Sequence, residues 1–171
     1  MQDAFLYAKT IYENVAIAFD NANDEQIYNA TKISKIHSDI LQFDKGYKTL
    51  IGEKGVTLSG GQKQRIAISR MIALKKPIII FDDSLSAVDT KTDMEIRREL
   101  RKNNSSLTSI IITHRMTTAK ECEKIIVLNE GKIEAIGNHN SLLVDSPLYK
   151  RLWELQGDLE TTFENEVGMV K

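Results

Sequence analysis

The sequence predicts an α/β core carrying a helical insert. Apolar residues at helical spacing dominate the first half, two short β-branched apolar runs follow, and strands then alternate with helices. From Glu25 to Phe43, Ile27, Ala30, Ile33, Ile36, Ile40, Leu41 and Phe43 keep helical spacing, with Asp24 as the expected N-cap. A Gly-bearing loop over 45–57 leads to Leu58-Ser59-Gly60-Gly61-Gln62. A helix is expected from Gln62 to Leu74, with Ile66, Ile68, Met71 and Ile72 as its stripe and Lys75-Lys76-Pro77 as its stop.

Ile78-Ile79-Ile80-Phe81 is a continuous apolar run ending in Asp82-Asp83, which predicts a strand buried on both faces, as in a parallel sheet. Helical spacing resumes from Thr90 to Lys102 and breaks at Asn103-Asn104-Ser105-Ser106. A second buried strand, Ser109 to Thr113, is expected to end at His114, followed by a helix reaching about Glu123. Strands at Ile125–Leu128 and Ile133–Ile136 flank Asn129-Glu130-Gly131-Lys132, a hairpin turn. Asn138 to Leu155 reads as helical and amphipathic, and the acidic tail 158–171 is expected to fray.

Composition narrows the class. The 171 residues are 42% apolar and 27% charged, which excludes bulk disorder, collagen and disulfide scaffolds. Lys and Arg (23) balance Asp and Glu (24), leaving a formal charge of -1. A domain that grips nucleic-acid backbone carries a positive surplus, so nucleic acid is not expected as a partner. Cys122 is the single cysteine, which fits a reducing compartment and reads as a small core residue on a helix. No apolar run approaches the ~20 residues of a membrane span, and no signal peptide is visible.

Three places carry chemistry. Ser59-Gly60-Gly61 opens a helix, where glycines let a ligand approach and the helix start offers N–H donors and a positive dipole end. Ser59 adds a hydroxyl, and Lys63 and Arg65 add nearby charge; by itself the tripeptide reads more readily as a glycine turn with a serine cap, and only the rest of the pattern changes that. Asp82, at the end of an apolar strand, is placed to hold Mg²⁺, although Asp82 and Asp83 could equally cap the following turn. His114 ends the next strand on the same expected rim, where it could meet a phosphate or a water, or sit as an ordinary rim histidine. His37 and His139 lack such placement and are expected at the surface. No Ser/His/Asp nucleophile signature and no metal-ligand His/Cys spacing occurs.

Taken in order, Leu58-Ser59-Gly60-Gly61-Gln62, Ile78 to Asp83, Ser86-Ala87-Val88-Asp89 and His114 resemble the signature, Walker B, D-loop and switch histidine of an ABC transporter nucleotide-binding domain. Gln2 matches the Q-loop glutamine; Thr49 to Gly55, and Phe5-Leu6 with Thr10 to Val15, resemble exporter-type stretches. The likeness spans about 150 residues. It implies a partial P-loop NTPase (RecA-like) parallel-sheet core with an α-helical signature subdomain. On this reading 1–75 hold the Q-loop and signature subdomain, and 76–157 the Walker B, D-loop and switch-histidine part. It also implies ATP and Mg²⁺ as cofactors, with Gln2 and Asp82 at the metal. Ser59, Gly60, Gly61, Gln62 and Asp89 would lie at a nucleotide shared with a second nucleotide-binding domain. Catalysis would fall to Asp83 and His114. A transmembrane domain would be the other partner, at the cytoplasmic face of the cell membrane.

Two departures from the pattern matter. No Gly-x-x-x-x-Gly-Lys-[Ser/Thr] occurs, so the chain is read as the C-terminal part of a larger polypeptide, starting near the Q-loop, and by itself is expected to bind ATP weakly or not at all. Asp83 stands where strongly hydrolytic members carry glutamate, so this half is expected to have a weakened base and an intact signature. A homodimer that tolerates aspartate, a soluble ATPase of the superfamily acting on DNA or ribosomes, and a non-catalytic docking module are the other readings.

Overall fold

The computed structural model describes residues 4–17, 19, 23–52, 56–82, 88–103 and 107–156. The chain divides into two compact units between Ile112 and Thr113.

The first unit is mostly helical. Helix α1 (Ile11–Ala16) starts at Thr10, whose hydroxyl accepts from the Glu13 N–H while the Glu13 carboxylate accepts from Thr10. Helix α2 (Asp24–Ile33) is capped by Asn23, not by Asp24, because Asn23 pairs reciprocally with Gln26 and leaves Asp24 inside the first turn. The single helix expected over 25–43 is two. Lys35 takes a positive φ of 59° and α3 (His37–Leu41) follows after the break. The Ser34 hydroxyl lies against Thr31 O (3.1 Å) and Ser69 Oγ (2.6 Å), a local partner set that competes with continuing the helix.

Helix α4 (Gly60–Ala73) ends with Lys75 in the left-handed region at φ 48°, as the Lys-Lys-Pro stop predicts. Strands β1 (Ile78–Asp82) and β2 (Thr108–Ile112) pair in parallel, with Ile78 opposite Thr108 and Asp82 opposite Ile112; helix α5 (Thr90–Asn103) lies between them in sequence. The expectation of strands buried on both faces is corrected. In β1 only Ile79 and Phe81 are buried, whereas Ile78 and Ile80, with Ile110 and Ile112 of β2, stay exposed. A strand is covered on both faces only where layers lie on both sides, and among the described residues one face of this pair packs on the core. That core joins Ile11, Val15, Ile27, Ile36, Ile40, Ile66, Ile96 and their neighbours.

The second unit begins with α6 (Met116–Lys120), shorter than expected. Strands β3 (Ile125–Asn129) and β4 (Lys132–Gly137) form the expected hairpin, with Glu130 and Gly131 at φ 47° and 74°, the two positive values that a tight primed turn requires. The expected long C-terminal helix is broken: α7 (His139–Asp145) stops at Ser146, whose extended backbone is what the following Pro147 favours, and residues 147–156 form a further helix, α8. Cys122 lies just past α6, half-buried, its thiol facing Thr118 O at 3.6 Å.

His37 and His139 are not surface residues. Each is half-buried and hydrogen-bonded through Nδ1 to a tyrosine hydroxyl, His37 to Tyr47 (2.6 Å) and His139 to Tyr149 (3.0 Å). Thr31 donates to Tyr28 O, so its oxygen accepts the Tyr47 proton, and His37 Nδ1 must then donate to Tyr47. Burial first, and the Lys32 charge second, hold His37 below the ordinary imidazole value; burial and then Lys120 do the same to His139. The unfolded chain therefore binds more protons below about pH 6.5. Stability is expected to be full above that value and to fall as the pH drops through it toward 5. Denaturant unfolding at stepped pH should show this, with a shallower slope in His37→Gln; an unchanged slope would count against the burial argument.

Candidate functional site

The start of α4 is built by its own sequence. Ser59 Oγ accepts from the Gln62 N–H (3.2 Å), and Gln62 Oε1 accepts from the Ser59 N–H (3.0 Å). This reciprocal cap occupies Ser59 as an acceptor and leaves its hydroxyl proton to donate outward. The first-turn N–H groups of Gly60 and Gly61 have no partner inside a helix. Ser59 and Gly60 are exposed, and Gly61 and Gln62 half-buried, so the tip is open rather than packed against its own unit. Hydroxyl and N–H donors at a helix start fit an anionic group such as a phosphate.

The charge around that tip is arranged differently from the sequence expectation. Lys63 is exposed, but the Arg65 guanidinium is committed within the unit: Nη2 to Asp39 Oδ2 (2.7 Å), Nη1 to Lys35 O (2.5 Å) and Nε to Gly61 O (3.4 Å). Gln62 Nε2 also donates to Asp39 Oδ2 (3.3 Å). At the other end of α4, Arg70 Nε donates to Asn14 O (2.9 Å) and its guanidinium lies 5.6 Å from the Tyr7 ring centre. No spacing rule links Asp39 or Asn14 to the glycine motif, and only the folded chain reveals them.

Asp82 ends β1 and is exposed, a carboxylate at the C-terminal end of a parallel strand, where oxygen ligands suit Mg²⁺. Asp89 is exposed and its carboxylate accepts from the Thr92 N–H (2.9 Å), which makes it the cap of α5; that bond, and more weakly the Arg65 charge, hold its pKa below the usual carboxylate value. His114 belongs to the second unit, exposed, two residues beyond β2. Its carbonyl accepts from Gln156 Nε2 (2.5 Å), while Gln156 Oε1 accepts from the Met116 N–H (2.8 Å), so one α8 amide fixes the His114 backbone and the start of α6. Gln2 and Asp83 lie outside the described residues, as do Ser86 and Ala87.

Residues 1–86 match the family model described as ABC transporter. The chain belongs to the ABC transporter family. It is 41% identical over 155 residues to the ABC transporter B family member 24, mitochondrial, of Arabidopsis thaliana, covering 91% of this chain and 23% of that protein. To the multidrug resistance-like ATP-binding protein MdlA of Buchnera aphidicola it is 41% identical over 165 residues, 96% of this chain and 28% of that protein. The structure of a bacterial Atm1-family ABC exporter with ATP bound superposes with a TM-score of 0.85 at 37% identity, covering 91% of this chain and 27% of that one. The chain thus spans about a quarter of the length of these ABC transporter relatives. No helix among the described residues is long and apolar enough to cross a membrane.

Ser59→Ala removes the cap acceptor and the outward hydroxyl, and is expected to cost about 1 kcal/mol of stability, whereas Ser59→Asp should keep the cap. Urea unfolding midpoints of the two variants check this.

Proposed function

We propose that this chain is the signature-bearing part of an ABC exporter's nucleotide-binding domain, in which ATP binding and hydrolysis drive export of a substrate across a membrane. The observation that supports the reading is the capped, glycine-tipped start of α4, at which Ser59 and Gly60 are exposed. A γ-phosphate held by a second nucleotide-binding domain would complete that donor set, so nucleotide recognition would span two chains and its loss on hydrolysis would weaken the interface.

Asp82 and Gln2 would hold Mg²⁺, which supplies charge neutralisation on the phosphates. His114 would steady the γ-phosphate and the attacking water, and Asp89 would contact the partner across the dimer. Asp83 would take the proton of the attacking water as base. Its carboxylate is shorter than glutamate by one CH₂, so its oxygens fall back by roughly 1.5 Å. Displacement of about 1 Å can cost ~100-fold in rate. A weak base beside a complete signature fits one half of a heterodimer, in which this chain serves the partner's site better than its own. The further partner is the transporter's transmembrane domain at the cytoplasmic face, and nucleic acid has no place in this reading.

The test uses the assembled transporter. Asp83→Glu is expected to raise turnover at this chain's own site by roughly tenfold or more. Ser59→Arg, which blocks the tip, is expected to abolish hydrolysis at the partner's site. ATPase rates unmoved by both substitutions would sink the proposal.

A further inference from the structure

We propose that Asp39 is the positioning residue for the nucleotide-facing turn of α4. The proposal rests on the reading of Ser59 to Gly61 given above. Asp39 belongs to α3, and no sequence motif connects it with the glycine tip. Its side chain is only 27% exposed, and Oδ2 accepts from two groups of α4 at once, Arg65 Nη2 at 2.7 Å and Gln62 Nε2 at 3.3 Å.

The Gln62 bond matters because an amide has two ends. Gln62 Oε1 accepts from the Ser59 N–H, which requires the amide oxygen to face Ser59 and the NH₂ to face away. An acceptor-only carboxylate on the NH₂ side enforces that orientation. With Asp39 absent, the amide is free to rotate and the Ser59 backbone loses its anchor. Arg65 works from the same carboxylate: held by Asp39 and Lys35 O, it donates through Nε to Gly61 O. One α3 carboxylate thereby holds both Ser59 and Gly61 through two intermediaries, Gln62 and Arg65.

Charge sets up a discriminating test. A carboxylate near an anion site repels a phosphate, so a role through charge alone predicts that neutralising Asp39 helps. A positioning role predicts the opposite, because the pairing with Arg65 already offsets the carboxylate's charge and what is lost is the geometry.

In the assembled transporter, Asp39→Ala is expected to lower kcat about tenfold while the KM for ATP stays within about twofold, since the nucleotide's main binding groups lie on the other domain. Asp39→Asn, of the same shape, should fall between Asp39→Ala and the parent, and Asp39→Glu should recover part of the loss. Amide hydrogen exchange over residues 58–63 is the second readout, with exchange expected to quicken about fivefold in Asp39→Ala and less in Asp39→Asn. Unchanged exchange and kcat in Asp39→Ala, or a raised kcat in Asp39→Asn, would overturn the proposal. Ser59→Arg separates it from the reading beneath it. If that variant leaves turnover intact, the phosphate-contact role of the tip fails, while the exchange data still decide whether Asp39 holds the turn. If Ser59→Arg abolishes turnover and Asp39→Ala changes neither readout, only Asp39 is discarded.

Discussion

Asn14 is completely buried, and both polar atoms of its side chain are used. Oδ1 accepts from the Tyr7 N–H (2.8 Å) and Arg70 Nη2 (3.3 Å), while Nδ2 donates to Tyr7 O (3.0 Å) and Thr10 O (3.0 Å). Its backbone carbonyl takes the Arg70 Nε–H. One side chain therefore joins three pieces: the segment around Tyr7, α1, and the far end of α4. A buried amide left without such partners would cost roughly 1–3 kcal/mol per orphaned group, so this hub tolerates little rearrangement. The placement of α4, and with it the direction of the glycine tip, follows from that constraint at one end and from the Asp39 contacts at the other.

Local pattern made much of this legible. The Glu130-Gly131 turn and the stop at Lys75 follow from rules that act within a few residues, and the parallel pairing of β1 with β2 follows from the strand–helix–strand order of the chain. The misreadings share a cause. A periodic apolar stripe over 25–43 says nothing about a Ser34 hydroxyl that finds Ser69 thirty-five positions away, and that contact accompanies the break at Lys35. Likewise His37 looked unremarkable in sequence, because its partner Tyr47 arrives from the turn after α3. The exposed isoleucines of β1 and β2 show the limit from the other side. Apolar content records what a strand can bury, not how many layers are present to bury it.

The candidate site divides along the same line. Ser59 with Gln62 is a capping box within four residues, so its geometry is inherent in its sequence, as are the boxes at Thr10 with Glu13, Asn23 with Gln26 and Asn138 with Ser141. The backbone that carries His114 depends instead on Gln156, forty-two residues onward, through a contact that no spacing rule foretells.

The electrostatics of the tip lead to a more specific conclusion about how it could meet an anion. Arg65 is one helical turn from Gly61 and from sequence alone looks like a phosphate ligand, yet its guanidinium is taken up by Asp39 and Lys35 O. A paired guanidinium gives little net attraction, because the carboxylate beside it cancels most of its field at distances beyond the pair. Attraction must then come from exposed Lys63, the Ser59 hydroxyl and the first-turn amides, and amides carry direction that a flexible ammonium lacks. A site built mainly from directed dipoles binds well only when the turn is held rigidly. On the proposed reading, the same half-buried ion pair that removes Arg65 as a ligand would supply that rigidity, and so would serve recognition better than a free charge.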